Sequence, residues 1–186
     1  MKNYKTMETQ DMNTLINNLQ TKDSEYKKAQ VILQIFFFVL MLIYIVLYVF
    51  NPDSEMGLYQ RIGGGCYVIA FLLLAFHFRK KHTKYKCVNY SASVKELMLE
   101  AEKRYRFWKS NKLGSIIAII LLDVGTCLIL IKYTSDKWPL LQIIIAVQAF
   151  YIVSAAIGFI IGFIAWKKEI RPLWLAVKEQ LEEFEG

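Results

Sequence analysis

The sequence predicts an all-α membrane protein, a bundle of four transmembrane helices with amphipathic cytoplasmic helices at its base. Three observations carry this. Of 186 residues, 55% are apolar, with a mean hydropathy of +0.31, above the ~45–50% of soluble domains. The apolar residues are bunched, and Val31–Phe50 and Ile143–Trp166 contain no charge. The basic residues sit beside those runs, and the formal net charge is +7. This composition excludes a disordered chain, and three cysteines are too few for a disulfide-built secreted domain.

A helix crosses ~30 Å of hydrocarbon with roughly 20 mostly apolar residues. Val31–Phe50 meets this with Gln34 as its one strongly polar residue, and Ile62–Phe78 is shorter. Leu113–Ile131 holds one acid, Asp123, and Leu140–Trp166 is long enough to span with tilt. Thirty mostly polar residues precede the first run and no small-x-small site follows it, so it reads as a retained span. The organisation expected is a cytoplasmic segment at 1–30, a first hairpin at 31–78 and a basic cytoplasmic segment at 79–112. A second hairpin at 113–166 and a cytoplasmic helix at 167–186 complete it.

Charge orients the spans. The 1–30 segment holds five Lys and Arg, 79–112 holds eleven and 167–186 holds four, against Arg61, Lys132 and Lys137 elsewhere. Positive residues are retained on the cytoplasmic side. Both termini are therefore expected in the cytoplasm of a cell whose inner membrane holds the protein. The basic residues would meet anionic lipid head groups there. They flank spans instead of forming a basic domain, so nucleic acid is not an expected partner.

The chain also reads as a parallel 2+2 internal repeat. Lys80-Lys81 closes the second span and Lys167-Lys168 the fourth, and Val94-Lys95-Glu96 recurs as Val177-Lys178-Glu179, 83 residues on.

Three cytoplasmic helices follow from apolar periodicity. Met12, Leu15, Ile16 and Leu19 make one stripe. Ser93-x-x-Glu96 is a capping box opening a helix with Val94, Leu97, Met98, Ala101, Tyr105 and Trp108 on one face. Pro172 suits the first turn of a third helix, striped by Leu173, Val177, Leu181 and Phe184. These stripes either pack on each other, lie in the head-group layer, or dock a partner. The surface set for membrane or partner is Leu97, Met98, Tyr105, Trp108, Arg104, Arg106, Leu173, Val177, Leu181 and Phe184.

Asp123 is the residue singled out within the spans, near the midplane. An ionised acid there costs at least ~2.5–3.5 kcal/mol on the insertion scale. Thr126 and Cys127 share its face, and Tyr44, Gln148 and Ser154 come from other spans at compatible depth. The set reads either as a proton or cation site or as a hydrogen-bonded packing contact. Ser154, Gly158 and Gly162 form a small-x3-small stripe, and Gly114, Ala118 and Gly125 a second one, both suited to close helix packing. The occupant is another span of the chain or a second protomer.

No enzyme motif is present, and no cofactor or metal is expected. Gly63-Gly64-Gly65 lacks the Lys-Ser/Thr of a phosphate loop. His77, His82 and Cys87 are spaced by five residues, which puts them on no common helix face.

Through Glu100–Trp108 (EAEKRYRFW), Leu121–Cys127 (LLDVGTC) and Trp166–Leu173 (WKKEIRPL), the chain resembles a group of small uncharacterised bacterial four-span proteins, often encoded beside extracytoplasmic-function sigma factors. The resemblance covers mainly residues 94–184. It implies a membrane-held regulator, anti-sigma-like, that binds a cytoplasmic protein, and it carries over no functional residue. The residues themselves leave three expectations: a scaffold or regulator presenting its cytoplasmic helices, a small oligomeric channel or proton-coupled transporter using Asp123, and a membrane-perturbing or lipid-binding effector.

Overall fold

The computed structural model describes residues 2–51, 56–107, 113–134 and 138–184, and the side chains of 12–51, 56–107, 114–131 and 138–184. The described residues are helical apart from short connections and ends, and contain no strand. Six α-helices run α1 Lys2–Tyr44, α2 Leu58–Lys86, α3 Val94–Tyr105, α4 Leu113–Thr134, α5 Leu140–Ala165 and α6 Arg171–Glu183. Single π-helical turns follow α1 at Ile45–Val49 and α5 at Trp166–Ile170. Four of these helical stretches are long and apolar enough to cross a membrane. Many large side chains on them are exposed, including Ile35, Phe38, Ile120, Phe150 and Ile160. That apolar surface suits hydrocarbon and not water.

Local chemistry explains the breaks. The Ser93 hydroxyl caps α3, accepting from the Glu96 amide at 3.4 Å. The Glu96 carboxylate turns back to that hydroxyl, at 3.5 Å. Pro172 opens α6 and has no N–H to give to a carbonyl four residues earlier. The backbone widens just before it, and Arg171 N–H reaches back to Trp166 O. The short N-terminal helix and first span, separate in the expectation, are one continuous helix of 43 residues. Residues 20–30 are polar but contain no Gly or Pro, so nothing breaks it. In the second half α3 and α4 are distinct elements, so the two halves differ at this joint.

The chain divides into two compact units. The first comprises Met1–Ala29, His82–Ser110 and Phe159–Gly186. Its core is Leu19 of α1, Met98, Ala101 and Tyr105 of α3, and Val177 and Leu181 of α6. Met12, Leu15, Ile16, Val94, Leu173 and Trp174 close around it. The three predicted stripes thus face one another. This corrects the assignment of Leu97, Met98, Tyr105, Leu173, Val177 and Leu181 to a free surface: all are buried except Leu173, which is half-buried. Three amphipathic helices of one chain meet without the entropy loss of recruiting a partner. Arg106 and Phe184 are exposed, and Trp108 lies outside the described residues.

The second unit comprises Gln30–Lys81 and Asn111–Gly158. Phe37 of α1 stacks on Phe71 and Phe78 of α2 at 6.1 and 5.4 Å. Gly63 of α2 and Gly125 of α4 meet face to face. A Cβ on either would lie 2.8–2.9 Å from the other's carbonyl oxygen. Ala118 is fully buried on α4.

Candidate functional site

Among the described residues, a polar centre stands out in each unit. In the second unit it is built on α4. Both Asp123 oxygens accept from Gln148 Nε2 of α5, at 2.9 and 2.8 Å. No Lys, Arg or His among the described residues pairs with the carboxylate. One turn on, Thr126 donates to Leu122 O at 2.8 Å. Its oxygen also meets Tyr67 Oη of α2 and Tyr151 Oη of α5, at 2.5 and 2.8 Å. A hydroxyl has one proton and two lone pairs. With its proton on Leu122 O, Thr126 accepts from both tyrosines and is saturated. Thr126 therefore pins α2 and α5 onto α4.

Of the six residues expected here, the structure joins Asp123 directly to Gln148 and places Thr126 beside them in the hydroxyl knot. Tyr44 belongs through the ring of Tyr67, stacked at 4.8 Å. Cys127 is half-buried and unoxidised. Ser154 is exposed and takes no part. Tyr67 and Tyr151 are the residues that sequence reasoning missed. Their signal was available, since a phenol hydroxyl within an apolar span needs a partner.

The two small-residue stripes part company. Gly125 and Ala118 are packed, but open space surrounds the Cβ position of Gly114, Gly158 and Gly162. The expected internal packing of Ser154, Gly158 and Gly162 is absent among the described residues. That stripe continues the face of Ile143 and Val147, which are buried. From Ile152 to Ala165, however, α5 is exposed on every side.

The centre of the first unit is Asp23, which is 3% exposed. Tyr90 Oη donates to Oδ2 at 2.5 Å and Tyr105 Oη to Oδ1 at 2.6 Å. Arg104 Nη2 stands 3.3 Å from Oδ2, and Arg104 Nη1 stands 3.6 Å from Glu100 Oε2. The Arg104 side chain is itself only 10% exposed. Burial raises the Tyr90 and Tyr105 hydroxyls above the ordinary tyrosine value, and donation to the Asp23 carboxylate raises them further. Tyr26 stacks on Tyr85 at 5.7 Å beside this node. The Tyr105 carbonyl accepts from Trp166 Nε1 at 2.9 Å, and Phe107 packs on Phe163 and Trp166 at 5.4 and 5.0 Å.

Asp23 lies in Thr21–Glu25, a polar run that reads as a solvated face. Its signal is its position four residues after Leu19, which prolongs the apolar stripe with a carboxylate. Arg104, expected at a lipid or partner surface, is the counter-ion of this buried acid. Compared with protein-family models, curated proteins and solved structures, the chain matches none.

Proposed function

We propose that the protein is a membrane-held scaffold or regulator, anti-sigma-like in class, that offers a folded helical unit to a cytoplasmic protein. The observation that carries this reading is the first unit itself. Segments from three separate parts of the chain share one apolar core and one buried ionic node. The polar part of the protein, nearly half of the chain, thus forms a built body and not a set of tails. The distribution of Lys and Arg supports placing it, with both termini, in the cytoplasm. The 83-residue recurrence supports descent from a parallel duplication.

The outer face of α6 carries exposed Glu179, Glu182 and Glu183, suited to a basic partner. Val177 and Leu181 are core residues, so truncating α6 would damage the fold. Charge reversal at the three glutamates leaves the core intact. Mild cross-linking in native membranes is expected to capture one cytoplasmic protein from wild type and to lose it in the Glu179→Lys, Glu182→Lys, Glu183→Lys variant. Recovery of the protein alone, at native abundance, overturns the reading.

One observation favours a second reading, a small oligomeric channel or proton-coupled transporter. Asp123 has an amide as its sole hydrogen-bond donor among the described residues, so its charge is left for a proton or cation to balance. Proteoliposome flux should then be present and fall at least tenfold in Asp123→Asn. Absence of flux across pH and common ions excludes it.

A further inference from the structure

Tyr105 is bonded at both ends within the first unit. Its hydroxyl donates to Asp23 of α1, and its carbonyl accepts from Trp166, the first residue of the π-helical turn after α5. It is also the last residue of α3, where carbonyls lack intrahelical partners. The indole N–H therefore fills a bond that the helix itself cannot make. The same ring packs against Phe107 and Trp174. A second contact joins these segments, Lys22 Nζ to Glu169 Oε2 at 3.6 Å, but the glutamate is exposed and the lysine only half-buried, and such a pair is weak.

We propose that Tyr105 is the pivot of a coupling built into this unit: the Asp23 contact and the Trp166 contact open and close together. Three features support it. First, the phenol and the carbonyl belong to one residue whose ring is 3% exposed, so the residue cannot shift at one end without shifting at the other. Second, the π-helical turn is the deformable part of the path, because its wider hydrogen-bond pattern lies next to ordinary α-helical ones. Third, the Asp23 node is only partly saturated. Arg104 Nη2 meets Asp23 Oδ2 as an ion pair at 3.3 Å but outside hydrogen-bond geometry, and the buried Nε has no hydrogen-bond partner among the described residues. The two phenols are the carboxylate's shortest contacts, at 2.5 and 2.6 Å beside the Arg104 ion pair at 3.3 Å, and a buried polar network depends strongly on each member. Displacement at Trp166–Ile170 would reach α1 through Tyr105. The latch needs no bound partner to exist.

Amide hydrogen exchange of the full chain in nanodiscs tests it. Trp166→Phe keeps the aromatic packing and removes the N–H. It is expected to speed exchange not only at 166–170 but also at residues 19–26 of α1, by roughly three- to tenfold, as loss of one hydrogen bond implies. Tyr105→Phe should speed exchange at 166–170 by a similar factor, and the double variant should do little more than either single one. Tyr90→Phe removes the other phenol without touching the pivot. It should loosen 19–26 and leave 166–170 unchanged. Effects confined to each variant's own contact, or additive in the double variant, overturn the coupling. Faster exchange spread evenly over α2 and α4 also overturns it, since that reports general destabilisation. If Trp166→Phe does not fold, the contrast between Tyr105→Phe and Tyr90→Phe at 166–170 decides alone.

Discussion

Replacing Asp23 with alanine is expected to lower the unfolding free energy of the first unit by about 3–5 kcal/mol. The loss comes from what remains behind. Arg104, 10% exposed, keeps its charge and is left with Glu100 at 3.6 Å, whose own side chain is 63% exposed. The half-buried Tyr90 and the buried Tyr105 lose their Asp23 acceptor, and Tyr105 is left with the Leu19 carbonyl at 3.4 Å. Removing the whole network is a different experiment. Asp23→Leu with Arg104→Met, Tyr90→Phe and Tyr105→Phe should recover most of the loss, because no unpaired polar group is stranded. Denaturant unfolding in detergent, followed through tyrosine and tryptophan fluorescence, separates the two. An alanine variant with the wild-type midpoint would show that the node contributes nothing.

The same node sets a pH dependence. Burial and donation to Asp23 raise the folded-state titration of Tyr90 and Tyr105. The neutral phenol is therefore favoured by folding. Its stabilisation is fully present below the unfolded-state value near 10, and it declines as pH rises from there through the raised folded values. The wild-type unfolding midpoint should fall above pH 10. The four-residue apolar replacement should fall less steeply.

Gly64→Ala is the second large effect, an expected loss of about 1–3 kcal/mol through overpacking. A Cβ at Gly64 would occupy the space of Tyr48 Cβ and Cγ. Those atoms are next to the backbone of a π-helical turn and cannot swing away as a side-chain tip would. Gly63→Ala meets Gly125 O and Ile129 Cγ1, each at 2.9 Å, and should cost a similar amount. Gly125→Ala meets the same gap from the other side, so those two losses should not add. Gly65→Ala is the internal contrast. Nothing lies within 4 Å of its Cβ position, and alanine favours the helix over glycine by roughly 0.5–1 kcal/mol. Thermal melts in detergent should therefore rank Gly65→Ala at or above wild type and Gly63→Ala and Gly64→Ala below it. Equal melting points for all three would contradict the close α1–α2 and α2–α4 contacts.

These three adjacent glycines show where sequence reading stops. Their identity announces a close approach or a loose helix start, but the two glycines that are packed and the one that is free look the same in the sequence. Asp123 stood out because an acid in an apolar run is conspicuous, and its neighbours Thr126 and Gln148 followed from helical spacing and depth. Tyr67 and Tyr151 stand in apolar runs where an aromatic ring is ordinary. Asp23 lies in a polar run where its local sequence does not distinguish it, and the fold brings two phenols and the Arg104 guanidinium to it.

Local sequence specifies the helical class, the four apolar stretches, the cap at Ser93 and the three amphipathic stripes. Each depends on residues within a few turns of one another, where composition and the 3.6-residue period suffice. Packing between distant segments sets that the stripes face each other, that Arg104 serves a buried acid, and that Gly125 meets Gly63 while no described residue approaches the Cβ position of Gly158. Gly63 and Gly125 are 62 positions apart, Asp23 and Arg104 81, and Leu19 and Val177 158. Whether a polar or small side chain is a contact or a surface depends on what another segment brings to it, and no local pattern encodes that.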